Sequence, residues 1–388
     1  MPVFSHEQMS VEKQLLLRCA RAKVGAQDSK KIRELLRYGV DWDALLADAH
    51  EHSVFPLLDR HLRAVAPELI PAVVAERLQR ETRMNAVRCL ALSAELIRIT
   101  EALSARGISS LPYKGPVIAA QAYGDITTRE FEDLDIVLRQ RDLGRANEVV
   151  SDLGYEARFP AVHAHSASAS MVPGEYNYSN AERRTALELH TEFTLRHFPK
   201  RPELEGFFSR AMNVDLGGRF ARTFAPEDAL IFLAVHAAKD FWLKLVWISD
   251  IAELIQSHPR LDWDGTRSRA RHLQAHRMLH VSLALSRDFF EAKLPMEVAA
   301  SVQADSQAAV LAGWAKGNLL TRDWRTLNSR ERFHFRRHLV TGLTEGWRYS
   351  LRLALAPAED DWMMMRLPRA LAPMYMVLRP LRLLRKYS

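Results

Sequence analysis

The chain has 388 residues, 48 % of them hydrophobic and 26 % charged, with a formal net charge of +7. That length supports a sizeable core and two or three domains, and the composition excludes a disordered or collagen-like chain. The positive balance favours anionic partners, namely nucleotide, nucleic acid, acidic lipid or an acidic polymer.

Cys19 and Cys89 lack ligand spacing, so neither a zinc site nor a disulfide framework is expected. The N-terminus carries no basic-then-apolar leader, and no apolar run reaches about 18 residues. A cytoplasmic protein is the expectation.

From Val11 to Arg106 the pattern is helical, with Leu15, Leu16 and Cys19 at helix spacing. Asp41 or Asp43 can cap a helix that runs through Ala49. His50 and His52 stand two apart, which on a helix points them away from each other; surface or capping roles are expected rather than a metal site. A long helix from about Pro71 to Arg106 carries Val74, Leu78, Met84, Val87, Leu92, Leu96, Ile99 and Leu103 and ends at Gly107. It is expected to pack under a sheet.

Leu111 to Arg139 holds the first candidate chemistry. It reads as a short strand or turn, a short helix, a polar loop and a strand. Pro116 suits the first helical turn and Gly124 the helix end. The helix would start just after Lys114-Gly115, which makes that turn a plausible phosphate cradle. The strand opens Asp133-Leu134-Asp135. Residues i and i+2 share a face, so the two carboxylates point the same way, about 6.5–7 Å apart at Cα, while Leu134 points into a core. Two carboxylates beside a phosphate cradle suit Mg²⁺, which takes oxygen ligands and is completed by substrate phosphates.

A helix is expected from Arg141 to Leu153, closed by Gly154, then a strand over Tyr155 to Phe159. The small-residue run Pro160 to Gly174, with His163 and His165, reads as a connection. Glu175–Ser179 and Thr185–Phe193 read as strands joined by a polar turn. In the second, Leu187, Leu189, Thr191 and Phe193 alternate with Glu188, His190 and Glu192. Glu188 reaches the sheet centre if this hairpin pairs beside the Asp133 strand; an edge strand with a wet face fits the alternation equally well.

From Arg201 the chain looks helical again. Leu230, Leu233 and Ala237 face inward from a helix opened by Pro226, and His236 reads as a satisfied core histidine. Trp247 and Asp250 can flank a ligand or brace the domain, and bracing is the expectation. Asp262 to Gly265 marks a turn. Arg330–Arg352 interleaves arginines with aromatics, a pattern that suits nucleic acid or a helix whose arginine stems cover a core. The C-terminal stretch, with Arg366, Arg369, Arg379, Arg382, Arg385 and Lys386 between apolar residues, fits docking on the protein's own body or peripheral membrane contact. Pro368, Pro373 and Pro380 are expected to break any long helix there.

Lys114-Gly115, Tyr123-Gly124-Asp125, Arg129, Asp133-Leu134-Asp135 and Glu188-Leu189-His190 together resemble a bacterial nucleotidyltransferase family of the DNA polymerase β-like superfamily, over roughly His50 to Pro295. The superfamily turn is usually Gly-Ser or Gly-Gly, where this chain has Lys114-Gly115-Pro116. The resemblance implies an α+β fold, a small mixed or antiparallel sheet between helical segments. The expected division is a helical region over 1–106, a catalytic domain over 107–200, a helical domain over 201–330 and a basic amphipathic region over 331–388. It implies Asp133, Asp135 and Glu188 as catalytic and metal-holding residues for Mg²⁺ or Mn²⁺, with Glu192 as the fallback for Glu188. Lys114, Gly115 and Arg129 would meet the nucleotide. The activity implied is transfer of a nucleoside monophosphate from an NTP to an acceptor such as a sugar phosphate, peptide, protein or RNA. The rival expectation is a non-catalytic nucleotide-binding or regulatory protein, with a basic surface for membrane or nucleic acid.

Overall fold

The computed structural model describes residues 9–157, 174–193, 198–200, 202–322, 324–355, 367, 371 and 374–387. Four helices open it: α1 (Val11–Cys19), α2 (Ala26–Arg37), α3 (Trp42–Glu51) and α4 (Phe55–Val65). Asp41 caps α3, its side chain accepting from the Ala44 N–H at 3.0 Å. His52 closes the same helix, and its Nδ1 accepts the Leu245 N–H at 3.3 Å. His50 instead pairs with Glu81 at 2.7 Å. The two histidines thus take the capping and surface roles their spacing predicts.

The long helix α5 (Ala72–Ala105) lies under a sheet, as expected. Its Leu92, Leu96, Ile99 and Leu103 share a core with Leu134, Ile136, Leu187 and Leu189. Met84 and Val87, counted as part of its apolar pattern, are exposed instead. The sheet has five strands: β1 (Ser110–Pro112), β2 (Asp133–Leu138), β3 (Glu156–Ala157), β4 (Glu175–Asn180) and β5 (Thr185–His190), in the order β1-β2-β5-β4-β3. β2 pairs antiparallel with β1 and parallel with β5. The architecture is α+β with a mixed sheet. Between β1 and β2, one α turn (α6, Pro116–Ile118) runs into one π turn (Ala119–Tyr123) and stops at Gly124, whose φ of +69° is left-handed. Helix α7 (Leu143–Asp152) packs on the α5 side of the sheet.

Beyond the sheet the chain is not helical throughout. After α8 (Leu204–Arg210), β6 (Met212–Asp215) and β7 (Phe220–Thr223) form a two-stranded antiparallel ribbon. Its turn uses Gly217 and Gly218 at φ +80° and +90°, values that favour glycine. Helices α9 (Pro226–Lys239), α10 (Leu245–Ser257), α11 (Trp263–His272), α12 (His276–Phe290), α13 (Met296–Ala304) and α14 (Ser306–Asn318) follow. Asp262, read as part of a turn, caps α11 by accepting the Gly265 N–H at 2.9 Å. One apolar core joins α1–α4 to α9–α14.

The arginine-rich stretch forms α15 (Ser329–Arg337) and α16 (Leu343–Leu355). Arg332 and Arg336 lie over the Phe241 ring at 6.0 and 5.4 Å, so these arginines cover a core. The last helix, α17 (Tyr375–Tyr387), runs through Pro380 rather than breaking there. The 160–173 connection with His163 and His165 lies outside the described residues, as do Arg366 and Arg369. Among the described residues no helix is long and apolar enough to cross a membrane. Both cysteines are free and buried.

Candidate functional site

The parallel pairing of β2 with β5 sets Asp135 directly opposite Glu188 and Asp133 opposite Ala186. Period-two alternation then does the rest. Leu134, Leu187 and Leu189 go to the α5 side and are buried there, and the carboxylates share the other face. The wet edge-strand alternative for β5 does not hold, because β2 and β4 flank it on both sides.

Asp135 is only 2 % exposed. Its Oδ1 accepts from Lys114 Nζ at 2.8 Å, His190 Nε2 at 3.1 Å and Tyr113 Oη at 3.4 Å. Burial alone would push its carboxyl up; Lys114 and His190 outweigh burial and hold it well below the usual carboxylate range. Asp133 moves the other way, pushed up to about 6 by burial and by the charge of Asp135. Burial disfavours the charged forms of Lys114 and His190. The neighbouring carboxylates overcome it, and His190 is raised to about 9. His190 Nε2 also stands 3.4 Å from Glu188. One face therefore carries four carboxylates, those of Asp133, Asp135, Glu188 and, opposite His190 on β4, Glu175, with two cations among them and two neighbouring aspartates whose proton affinities are driven apart.

Gly115 precedes α6 with φ +55°, a conformation that favours glycine. It lies against the start of β2: a Cβ placed there would sit 3.5 Å from the Asp133 carbonyl oxygen. The turn before the helix thereby holds Lys114 beside the aspartates. Arg129 is near enough to lower the proton affinity of Asp133, but its hydrogen bonds go to α10. Its guanidinium binds both Asp250 oxygens, with Nε and Nη2 donating at 2.9–3.1 Å. Tyr123 Oη donates to the same carboxylate at 2.9 Å. Asp250 is fully buried, so this pair ties the loop before β2 to α10. Trp247 is buried too, in keeping with bracing. Removing one partner of such a pair leaves a charge buried alone. Asp250→Asn is therefore expected to lower stability by about 3 kcal/mol in urea unfolding; a loss below about 1 kcal/mol would mean the pair carries little of this junction.

The donor atoms of Asp135, Glu188 and His190 lie within 4.8 Å of one another, with Asp133 one pleat along β2. Asp135 Oδ2 is buried and has no hydrogen-bond partner among the described residues. An unpaired carboxylate oxygen between two further donors fits a divalent cation. Carboxylate oxygens suit Mg²⁺, and the imidazole of His190, once it gives up its proton, also admits Mn²⁺. Two cavities, of about 580 and 500 Å³, lie apart from this face and touch none of its carboxylates.

His190, part of the Glu188-Leu189-His190 motif but given no role by the sequence, stands two residues after Glu188 and so on its face. The signal was there, in the same alternation that placed Glu188. Tyr113, next to Lys114, had no such signal, because its reach to Asp135 depends on how β1 meets β2. His236 is not a satisfied core histidine: its Nδ1 is buried without a partner among the described residues.

A family model described as uncharacterised nucleotidyltransferase matches residues 38–291. In shape, the chain is similar to the antibiotic-resistance factor ANT(2'')-Ia, at 14 % identity and a TM-score of 0.30, over 58 % of this chain and 96 % of that one. No curated protein matches.

Proposed function

The chain belongs to the uncharacterised nucleotidyltransferase family, and we propose that it moves a nucleoside monophosphate from an NTP to an acceptor hydroxyl or phosphate, releasing pyrophosphate, on the carboxylate face of β2 and β5. The observation that carries this reading is the register Asp135–Glu188, with an unpaired, buried Asp135 oxygen at its centre.

Asp133, Asp135 and Glu188 would hold Mg²⁺ or Mn²⁺, with His190 beside them. When bound, a divalent cation neutralises triphosphate charge and stabilises the attacking and leaving oxygens. Lys114 is a counter-charge of Asp135. On nucleotide binding its ammonium is close enough to the aspartates to exchange that contact for a phosphate oxygen. Gly115 lets the backbone approach the triphosphate. Glu188 takes the proton from the acceptor hydroxyl. Arg129 acts by holding the loop before β2 to α10 rather than by touching phosphate. Positioning and electrostatics supply most of the rate, as in other phosphoryl transfers.

A basic protein suits an anionic acceptor, such as a sugar phosphate, RNA or an acidic peptide or protein. The test is incubation of the purified chain with each α-labelled NTP, Mg²⁺ or Mn²⁺ and a cell extract. A labelled acceptor with release of pyrophosphate is expected from wild type, and none from the Asp135→Asn variant. If wild type binds nucleotide yet labels nothing in any extract, transfer is not its activity.

A further inference from the structure

Residues 329–388 carry twelve arginines and lysines against five acids, a balance of +7 that equals the whole chain's, so residues 1–328 are neutral as a set. They also lie beyond the family match, which ends at residue 291. An excess of charge gathered at one end of a chain points to an anionic partner for that end.

The same region exposes apolar rows. Helix α16 turns Gly346, Tyr349 and Ser350 inward. On its outer side Leu343, Trp347 and Leu351 follow one another at i, i+4 and i+8, each more than half exposed. Beside them runs a second exposed row, Thr344, Arg348 and Arg352. Arg348 meets Glu345 at 2.7 Å and Arg352 donates to the Pro199 carbonyl at 3.1 Å, contacts that use part of each guanidinium's five donors. Phe333 of α15 stands edge-on to Trp347, with centroids 5.1 Å apart, and widens the apolar row. Helix α17 packs against α16 and repeats the pattern. Its Tyr375 and Arg379 are buried, while Val377 and Leu381, with Met374 just before the helix, are exposed. Single exposed apolar side chains are ordinary, but rows of them mark an interaction surface.

The mixture decides among partners. A nucleic acid would use the arginines and a ring or two, and would leave Leu343, Leu351, Val377 and Leu381 with nothing to pack on. A second copy of this chain would bring the same positive excess to the face, so like charge opposes it. An anionic lipid surface uses both features: aliphatic rows enter the acyl boundary, tryptophan sits at the interface and arginines meet lipid phosphates. At 13 residues each, α16 and α17 are too short to cross a bilayer but can lie on one.

We propose that α16 and α17 seat the protein on an anionic membrane surface. The proposal is independent of the transfer reading, because none of its residues belongs to the carboxylate face.

The test is co-sedimentation of the full chain with vesicles of phosphatidylcholine alone and of equal parts phosphatidylcholine and phosphatidylserine. Wild type is compared with Leu343→Gln/Leu351→Gln and with Trp347→Gln. All three positions are exposed and glutamine is a good helix former, so both variants should melt at the wild-type temperature. Wild type is expected to partition about tenfold or more better onto the phosphatidylserine vesicles, and to lose most of that gain in roughly 1 M salt. Leu343→Gln/Leu351→Gln should bind those vesicles about tenfold or more weakly, the scale of keeping two leucines out of an apolar phase, and Trp347→Gln should weaken too. Equal partition onto the two kinds of vesicle overturns the proposal, as does unchanged binding by both variants. A wild type that stays off phosphatidylserine vesicles also overturns it, and binding of a single-stranded oligonucleotide would then give the face to nucleic acid. An oligomer in light scattering that Leu343→Gln/Leu351→Gln reduces to monomer would give the face to a second copy and overturn it as well.

Discussion

Asp135→Asn is expected to cut transfer steeply and to destabilise the fold as well, whereas Asp133→Asn should cut transfer as steeply and leave the fold standing. The two aspartates share a face but not an environment. Asp135 is buried and is the anion on which Lys114, His190 and Tyr113 converge. Without its charge, Lys114 is left in a half-closed site with no direct counter-ion, at a cost of about 3 kcal/mol in chemical denaturation. Asp135 thus supports the fold as well as the chemistry. Asp133 is partly exposed, and burial and the charge of Asp135 already push its carboxyl up to about 6. Above that pH its ionised form opposes folding, because its proton affinity is higher folded than unfolded; a neutral asparagine removes the opposition. Transfer should fall on the order of 10³-fold in either variant, the scale of losing a principal electrostatic contact in an active site. Undiminished transfer by Asp135→Asn would put the chemistry on other residues.

Glu188→Gln separates binding from turnover. Glu188 is less buried than Asp135 and stands 3.4 Å from His190. Its greater exposure lets it meet an acceptor. Asp133 and Asp135 can hold the metal-bound nucleotide without it. NTP affinity should stay within a few-fold of wild type, while turnover falls by about 10²–10⁴-fold, the range for losing general-base help. The control is Glu192→Gln. β5 ends at His190, so Glu192 lies past the strand and outside its pairing with β2. Its substitution should leave turnover near wild type in a steady-state assay. The opposite pattern, with Glu192→Gln inactive and Glu188→Gln active, would assign the proton transfer to Glu192.

How much of this could be read from the sequence depends on the range of the interaction. Period-two alternation is local, so it put Asp133 with Asp135 and turned Glu188 away from Leu187 and Leu189. Gly115, Pro116 and Gly124 punctuated the helix before β2 for equally local reasons. Arg129 illustrates the limit. The neighbouring motif marked Arg129, but its partner Asp250 lies far along the chain, on a helix whose approach no local pattern specifies. The two-stranded ribbon β6–β7 was missed because strands of four residues have too short an alternation to stand out. The glycine pair at Gly217-Gly218 was its one sequence mark.

The parallel pairing of β2 with β5 also bears on how the protein comes together. β4 and β5 can find each other across the short turn 181–184, a contact that forms with little loop-closure entropy. β2 can join β5 only after the chain through α7, β3 and β4 has looped back. Non-local pairing of that kind is intrinsically slow. The step that joins the two strands is also the one that crowds Asp133 and Asp135 against Glu188, so like charges oppose it except as far as His190, which β5 brings with it, and Lys114 offset them. The carboxylate face is thus a late product of folding, and ions or nucleotide present during refolding act on the step that builds the site they will occupy.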